Sequence, residues 1–101
     1  MNHPSILAFV EQQDGVPRAD GLLLYGREDL AERNTTFVVA NYVPGYLLVG
    51  DDSGGRGVLV SCVQPAHPVY ICGLGALALE ELTPLSDSLR LWAESGCPLT
   101  R

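Results

Sequence analysis

Residues 46–63 read YLLVGDDSGGRGVLVSCV, and this stretch decides the fold. Its first six residues are apolar toward both faces of a strand, which predicts a central strand of a sheet at 46–51. A loop is expected at 52–56, followed by a second strand at 57–63. Two apolar runs joined by a short glycine-rich connection indicate a β-hairpin.

Other elements flank this hairpin on both sides. Short strands are expected at 22–25 and 69–72, and helices at 6–13 (capped by Ser5), 28–33 (ended by Asn34) and 87–95 (capped by Ser86). Residues 37–42 are β-branched and aromatic, and their pattern leaves a strand or a helical turn open. Strands in the middle and helices toward both ends of the chain predict an α+β fold. A central, mainly antiparallel sheet would carry short helices on one face.

The charge of the chain limits its partners. The 101 residues carry a net charge of −6, and the six cations are all arginines without a basic cluster. Binding of nucleic acid or of an anionic membrane needs clustered cations, so neither partner is expected. The acidic surface favours solubility first, and it would also steer a basic protein toward the chain.

The cysteines and the start of the chain indicate the cytoplasm. Three cysteines without a CxxC pair are too few for a secreted disulfide scaffold. The first residues lack a basic signal-peptide region, and no apolar run is long enough to span a bilayer. Cys62 and Cys72 fall on consecutive strands, so a cross-strand disulfide stays open, although free buried thiols are favoured.

The loop GDDSGGRG at 50–57 invites a catalytic interpretation. Gly-Asp-Ser-Gly-Gly is the nucleophile loop of chymotrypsin-like proteases, but the mechanism needs a histidine next to the serine. His3 lies near a terminus and His67 in a proline-flanked loop, and the chain is too short for a two-barrel protease. Ser53 is therefore expected to be a turn hydroxyl. Gly54 and Gly55 are expected to adopt positive φ in the turn, and Asp51 and Asp52 to bond backbone amides of the loop.

Phosphate and metal sites are no better supported. Gly50 and Gly55 have the spacing of a phosphate loop, but no lysine and no helix follow them. Asp51 and Asp52 are neighbours at a strand end and point to opposite faces, which opposes a shared metal or a paired acid–base site. The cysteines and histidines lack ligand-pair spacing. We expect no catalytic, metal or cofactor residue, and we expect Trp92 in the core.

The order of these motifs resembles the SUKH superfamily of bacterial immunity proteins and fungal cell-wall-synthesis regulators. The resemblance is carried by Gly21 to Tyr25, by LAERN at 30–34, by Phe37, by YVPGYLLVGDDSGGRGVLV at 42–60, by VYICGLG at 69–75, and by Ser88, Leu89, Trp92 and Gly96. The chain departs from the pattern at Val38, where an acid commonly follows the aromatic. It also departs in the helical region before the first strand, which is expected to be short.

The resemblance implies one domain over residues 1–101, no enzymatic activity, no cofactor and binding to another protein. We expect that protein to be a toxin, which the chain would neutralise. The alternative is a regulatory role with a cellular partner. A small hydrolase that uses Asp51 and Asp52 is the weakest of the three hypotheses. The family motif residues are Pro44, Gly45, Gly50, Asp51, Asp52, Gly54, Gly55 and Trp92. Asp51, Asp52 and Arg56 are candidates for partner contact. An apolar edge left by the short N-terminal region would allow homodimerisation.

Overall fold

The structure, a computed structural model, describes residues 3–100. In chain order its elements are α1 (Pro4–Glu11), β1 (Leu23–Leu24), α2 (Arg27–Thr36), α3 (Val39–Tyr42), β2 (Tyr46–Asp51), β3 (Arg56–Ser61), β4 (Val69–Gly73), β5 (Thr83–Ser86) and α4 (Leu89–Glu94). Two 3₁₀ turns, Leu74–Ala76 and Leu79–Glu81, connect β4 to β5. None of the helices in this described range is long and apolar enough to cross a membrane.

The five strands form one antiparallel sheet in the order β1-β2-β3-β4-β5. This arrangement confirms the α+β prediction and the hairpin at its centre. In the hairpin, Tyr46 pairs with Ser61 and Asp51 pairs with Gly57, with an irregularity in the register between Leu48 and Gly50. The fifth strand, at 83–86, was not predicted, because Thr-Pro-Leu-Ser lacks a continuous apolar run.

Alternation of side chains divides the sheet into two faces. One face is fully covered and carries Leu47, Val58, Val60, Val69 and Ile71. The other face carries the buried Leu48 and Leu59 beside the half-buried Tyr46 and Tyr70. The core prediction for Trp92 is confirmed, since its side chain is fully buried and its Nε1 donates to the carbonyl oxygen of Pro98 at 2.8 Å.

Two predicted helix caps were wrong. Helix α1 begins at Pro4, its N-cap is His3, and no side chain caps it, so Ser5 lies inside the helix. Ser86 ends β5, because pairing with β4 keeps the chain extended to that point. The hydroxyl of Ser88 caps α4 instead and accepts from the Leu91 amide at 3.0 Å.

The side chain of Asn34 protects the edge of β2. Asn34 does not end α2, as predicted, but lies within it. Its Nδ2 donates to the Leu48 carbonyl oxygen at 2.8 Å, and its Oδ1 accepts from the Leu48 amide at 2.9 Å. This pair of bonds continues the ladder where the two-residue β1 stops. Pro84 on β5 lacks a backbone donor at the opposite edge, so both edges offer fewer free backbone groups to another strand.

The three cysteines are free thiols. Cys72 pairs with Gly57, which lies five residues before Cys62 on the neighbouring strand. That offset separates Cys62 from Cys72 by about 16 Å along the sheet, far beyond the reach of a disulfide. The disulfide that the sequence left open is therefore excluded, and the favoured expectation of free thiols is confirmed. Burial raises the pKa of the thiols of Cys62 and Cys97, which makes them weak nucleophiles.

Candidate protein-binding surface

Asp51 ties the 50–57 loop to the neighbouring strand. The hydroxyl of Tyr25 donates to Asp51 Oδ2 at 2.6 Å, and the Ser53 amide donates to Oδ1 at 2.9 Å. Tyr25 is almost fully buried, and its burial and the adjacent carboxylate raise the pKa of its hydroxyl. The Tyr25 hydroxyl therefore stays protonated and holds Asp51 in place.

Asp52 organises the loop itself. Its Oδ1 accepts from the amides of Gly54 at 2.8 Å and Arg56 at 2.9 Å, and its Oδ2 accepts from Arg56 Nε at 2.8 Å. Only 10% of its side chain is exposed. Burial alone would raise the pKa of this carboxyl, but the hydrogen bonds from Arg56 and Gly54 outweigh it and lower the pKa. The prediction that the two aspartates bond the loop amides is confirmed.

Ser53 acts as a turn residue in this loop. Its hydroxyl donates to the Gly21 carbonyl oxygen at 2.6 Å, and its backbone is left-handed with φ +62°. Gly55 has the predicted positive φ (+95°), but Gly54 does not, so that part of the prediction was wrong. The acceptor of the Ser53 hydroxyl is therefore a backbone carbonyl and not a histidine that could take up its proton.

The structure brings the two histidines together, which their spacing of 64 residues did not indicate. The rings of His3 and His67 lie 6.4 Å apart, and His67 Nδ1 is 2.7 Å from the Ser61 carbonyl oxygen. Ser61 ends β3, whereas the Ser53 loop precedes that strand. Among residues 3–100, no three His, Cys, Asp or Glu side chains are grouped so that they could hold a metal.

The three predicted partner contacts are therefore close together, but they bond one another and the loop. Arg56 is exposed, and its guanidinium pairs with Asp52. Asp51 is held by Tyr25. Gly50 serves a structural purpose too, because a Cβ there would lie 2.6 Å from the Leu23 carbonyl oxygen. The loop thus joins β1, β2 and β3.

A different region exposes apolar side chains. We call it the uncharged face and define it by Val38, Tyr42, Tyr46, Val63 and Tyr70. Val38, Tyr42 and Val63 are 43%, 59% and 73% exposed. The rings of Tyr46 and Tyr70 meet edge to face at 5.5 Å, and burial and this neighbour raise the pKa of the Tyr46 hydroxyl. Aromatic side chains of this kind are enriched at protein interfaces.

Two cavities adjoin the short helix α3 on this face. The larger, about 590 Å³, is lined by ten residues that include Val38, Ala40 and Tyr46. The smaller, about 250 Å³, lies between Tyr42 and the turn at Leu74. Neither cavity has an Asp, Glu, Lys or Arg in its lining. The surface of the larger cavity is mostly apolar, so it suits apolar groups of another molecule.

Val38, one of the residues that define this face, has a strained backbone. It is the residue before α3, with φ +51° and ψ +44°. A β-branched residue in the left-handed region is a conformational outlier, and such strain concentrates at functional positions. The sequence pattern did not reveal this conformation.

One sequence signal coincides with the face, although in isolation it also describes a core. Residues 34–50 and 57–79 contain no Asp, Glu, Lys or Arg. The two stretches pack together, since Tyr46 pairs with Ser61 and a Cβ on Gly45 would lie 3.3 Å from Val63. Their side chains are not all core, because Tyr42 and Val63 are mostly exposed. Long uncharged stretches in an acidic chain thus marked a surface as well as the interior.

The chain matches no protein-family model, and a search of curated proteins finds no match.

Proposed function

We propose that this chain is a non-enzymatic protein-binding module of the SUKH type, an immunity protein that binds and neutralises a toxin in the bacterial cytoplasm. Its motif order carries the resemblance, and its α+β architecture with one antiparallel sheet agrees with what that resemblance implies. The polar groups of the 50–57 loop, where a catalytic site was weighed, serve as hydrogen-bond partners of the loop itself.

The uncharged face is the observation that carries the proposal. Protein interfaces are depleted of charge at their centres and enriched in aromatic side chains. Tyr46 supplies such a side chain in the wall of the cavity of about 590 Å³, Tyr70 packs against Tyr46, and Tyr42 lines the smaller cavity. Buried tyrosines near the middle of an interface commonly dominate its binding energy.

The acidic remainder of the chain supports the choice of a basic partner. All five arginines in the described part of the chain lie near a carboxylate of the same chain, in the pairs Arg18–Asp20, Arg27–Glu11, Arg33–Glu32, Arg56–Asp52 and Arg90–Glu94. The excess of carboxylates gives the net charge of −6. Charge of this sign accelerates the encounter with a basic protein such as a nuclease toxin.

Co-expression with the protein encoded by the adjacent gene tests the proposal. We expect the chain to form a complex with that protein and to relieve its toxicity. Val38→Asp should weaken the complex, since it places a charge on the face. Val16→Asp is the matched control, because Val16 is 62% exposed and lies outside the face.

If neither the neighbouring product nor another toxin domain of the same genome binds or is neutralised, the immunity role is contradicted. Capture of a housekeeping protein that depends on Val38 would instead favour the regulatory scaffold. A hydrolytic activity lost in an Asp51→Ala, Asp52→Ala double variant that still folds would favour the hydrolase.

A further inference from the structure

We propose that, in the absence of another partner, a second copy of this chain covers the uncharged face, so that the free protein is a symmetric homodimer. The inference uses the same face as the proposed function, but it concerns the free protein and needs no toxin. It differs from dimerisation through an apolar edge, which the sequence suggests, because Asn34 bonds the backbone of Leu48 near one edge and Pro84 lacks a donor at the other.

Charge limits where two copies of this chain can meet, and it favours this face as the site. Two copies with a net charge of −6 repel each other wherever acidic surfaces meet. In a two-fold contact each residue approaches the same region of its copy, so only a surface without charges meets itself without repulsion. Among the surfaces that the structure describes, the face around α3 adjoins two cavities whose linings carry no Asp, Glu, Lys or Arg.

The face also offers both parts of a self-complementary contact. Tyr42 and Val63 project into solvent. Tyr42 lies in the wall of the smaller cavity. The cavity of about 590 Å³ has Val38, Tyr46 and Gly45 in its wall, and Gly45 lies against Val63. In a two-fold arrangement, a projecting side chain of each copy enters the cavity of the other. A standard stable interface buries about 800 Å² per partner, a modest share of the 5540 Å² surface.

Val38 provides a substitution that separates the interface from the fold. Aspartate and asparagine adopt the left-handed conformation of this position more readily than valine does. Val38→Asp therefore keeps the fold and adds a negative charge from each copy to the proposed contact. Val38→Asn gives the same backbone preference without the charge, and Val16→Asp adds the same charge elsewhere on the surface.

Sedimentation equilibrium of the purified full chain at about 1–200 μM tests the dimer. We expect the average mass to rise from 10.8 kDa toward twice that value. Val38→Asp should raise the dissociation constant at least tenfold, whereas Val16→Asp should leave it within about twofold and Val38→Asn should retain the dimer. Higher NaCl should tighten the dimer, since salt screens the repulsion between two acidic copies.

A wild-type chain that stays monomeric over the whole range would overturn the inference, while the face would remain available to a different protein. Equal weakening by Val16→Asp and Val38→Asp would also overturn it, because the charge effect would then not be specific to the face. Dissociation of the dimer by salt would contradict the uncharged interface. Thermal unfolding followed by circular dichroism confirms that each variant is folded.

Discussion

The 50–57 loop and the uncharged face each contain a non-glycine residue with left-handed backbone, and the two residues differ in what supports them. Ser53 has φ +62°, and its hydroxyl donates to the Gly21 carbonyl oxygen. Val38 has φ +51° and an apolar, partly exposed side chain that makes no hydrogen bond. The conformation of Ser53 is therefore offset by a bond within the fold, whereas that of Val38 points to a contact outside it.

The same contrast holds for the other side chains of the two regions. The loop is rich in residues that catalyse reactions elsewhere, yet Asp51, Asp52 and Ser53 use their side chains to bond the loop itself and the residues Gly21 and Tyr25 on either side of β1. The uncharged face contains no reactive constellation, but it exposes aromatic groups beside cavities. Variants of the loop should therefore change stability, and variants of the face should change association.

The largest expected effect is on stability, at Gly21. A Cβ there would lie 2.6 Å from the Asp52 carbonyl oxygen, and φ is +93°. Gly21→Ala should lower the free energy of unfolding by about 3–5 kcal/mol, as backbone strain and a steric clash combine. Gly55→Ala is the matched control, since its φ is +95° with nothing within 4 Å, and it should cost only about 1–2 kcal/mol. Urea denaturation of both variants measures these losses in the free energy of unfolding. Equal losses would contradict the claim that close packing at Gly21 is needed.

A smaller loss is expected when the Asp52 carboxylate is removed. Asp52→Ala leaves the amides of Gly54 and Arg56 and the Arg56 guanidinium without their acceptor. We expect a loss of about 2–3 kcal/mol in the free energy of unfolding, with little change in dimer dissociation once the protein is folded. Asp52→Asn keeps one acceptor oxygen and should lose less. Weaker association in Asp52→Ala at unchanged stability would assign the loop to the interface instead.

The pH dependence of stability reports the same carboxylate. The pKa of folded Asp52 lies below the unfolded value of about 3.9, so its contribution is complete above about pH 4 and is lost as the pH falls through the folded pKa. Unfolding free energies measured at pH 7 and at pH 3 should therefore differ less in Asp52→Asn than in the wild type. An identical pH dependence in the two proteins would contradict the role of Asp52.

The smallest expected effect has the opposite sign. Val38→Asn should raise the free energy of unfolding of the monomer by about 0.5–1 kcal/mol, since asparagine fits the left-handed backbone better. The measurement is best made at low protein concentration, where dimerisation does not add to stability. Val16→Asn serves as the control with no expected change. A destabilised Val38→Asn would show that the backbone of this residue is not strained.

The sequence predicted the parts of the fold that local patterns encode. The apolar runs and glycine-rich connection of 46–63 gave the central hairpin, and the spacing of Leu89 and Trp92 gave a buried helix. The role of Asn34 could not be predicted, because its bonds to Leu48 join residues 14 positions apart and depend on where β1 stops. The strand at 83–86 likewise depends on pairing with β4 rather than on its own pattern.

The candidate surface was missed for a related reason. Sequence reasoning followed polar residue types, which led to Asp51, Asp52 and Arg56. The exposure of Tyr42 and Val63 depends on tertiary structure, and the same residue types elsewhere in the chain are buried. Only the absence of charge over 34–50 and 57–79 was visible beforehand, and in isolation it equally describes a core.

Concentration-dependent amide chemical shifts test the central claim most directly. Two-dimensional ¹H–¹⁵N spectra of the labelled chain, recorded between about 20 μM and 1 mM, report which amides change environment on self-association. We expect shifts to concentrate around Val38, Tyr42, Val63 and Tyr70, while the amides of Ser53 and Gly54 stay unchanged. Shifts concentrated in the 50–57 loop, or no shifts at any concentration, would contradict the claim.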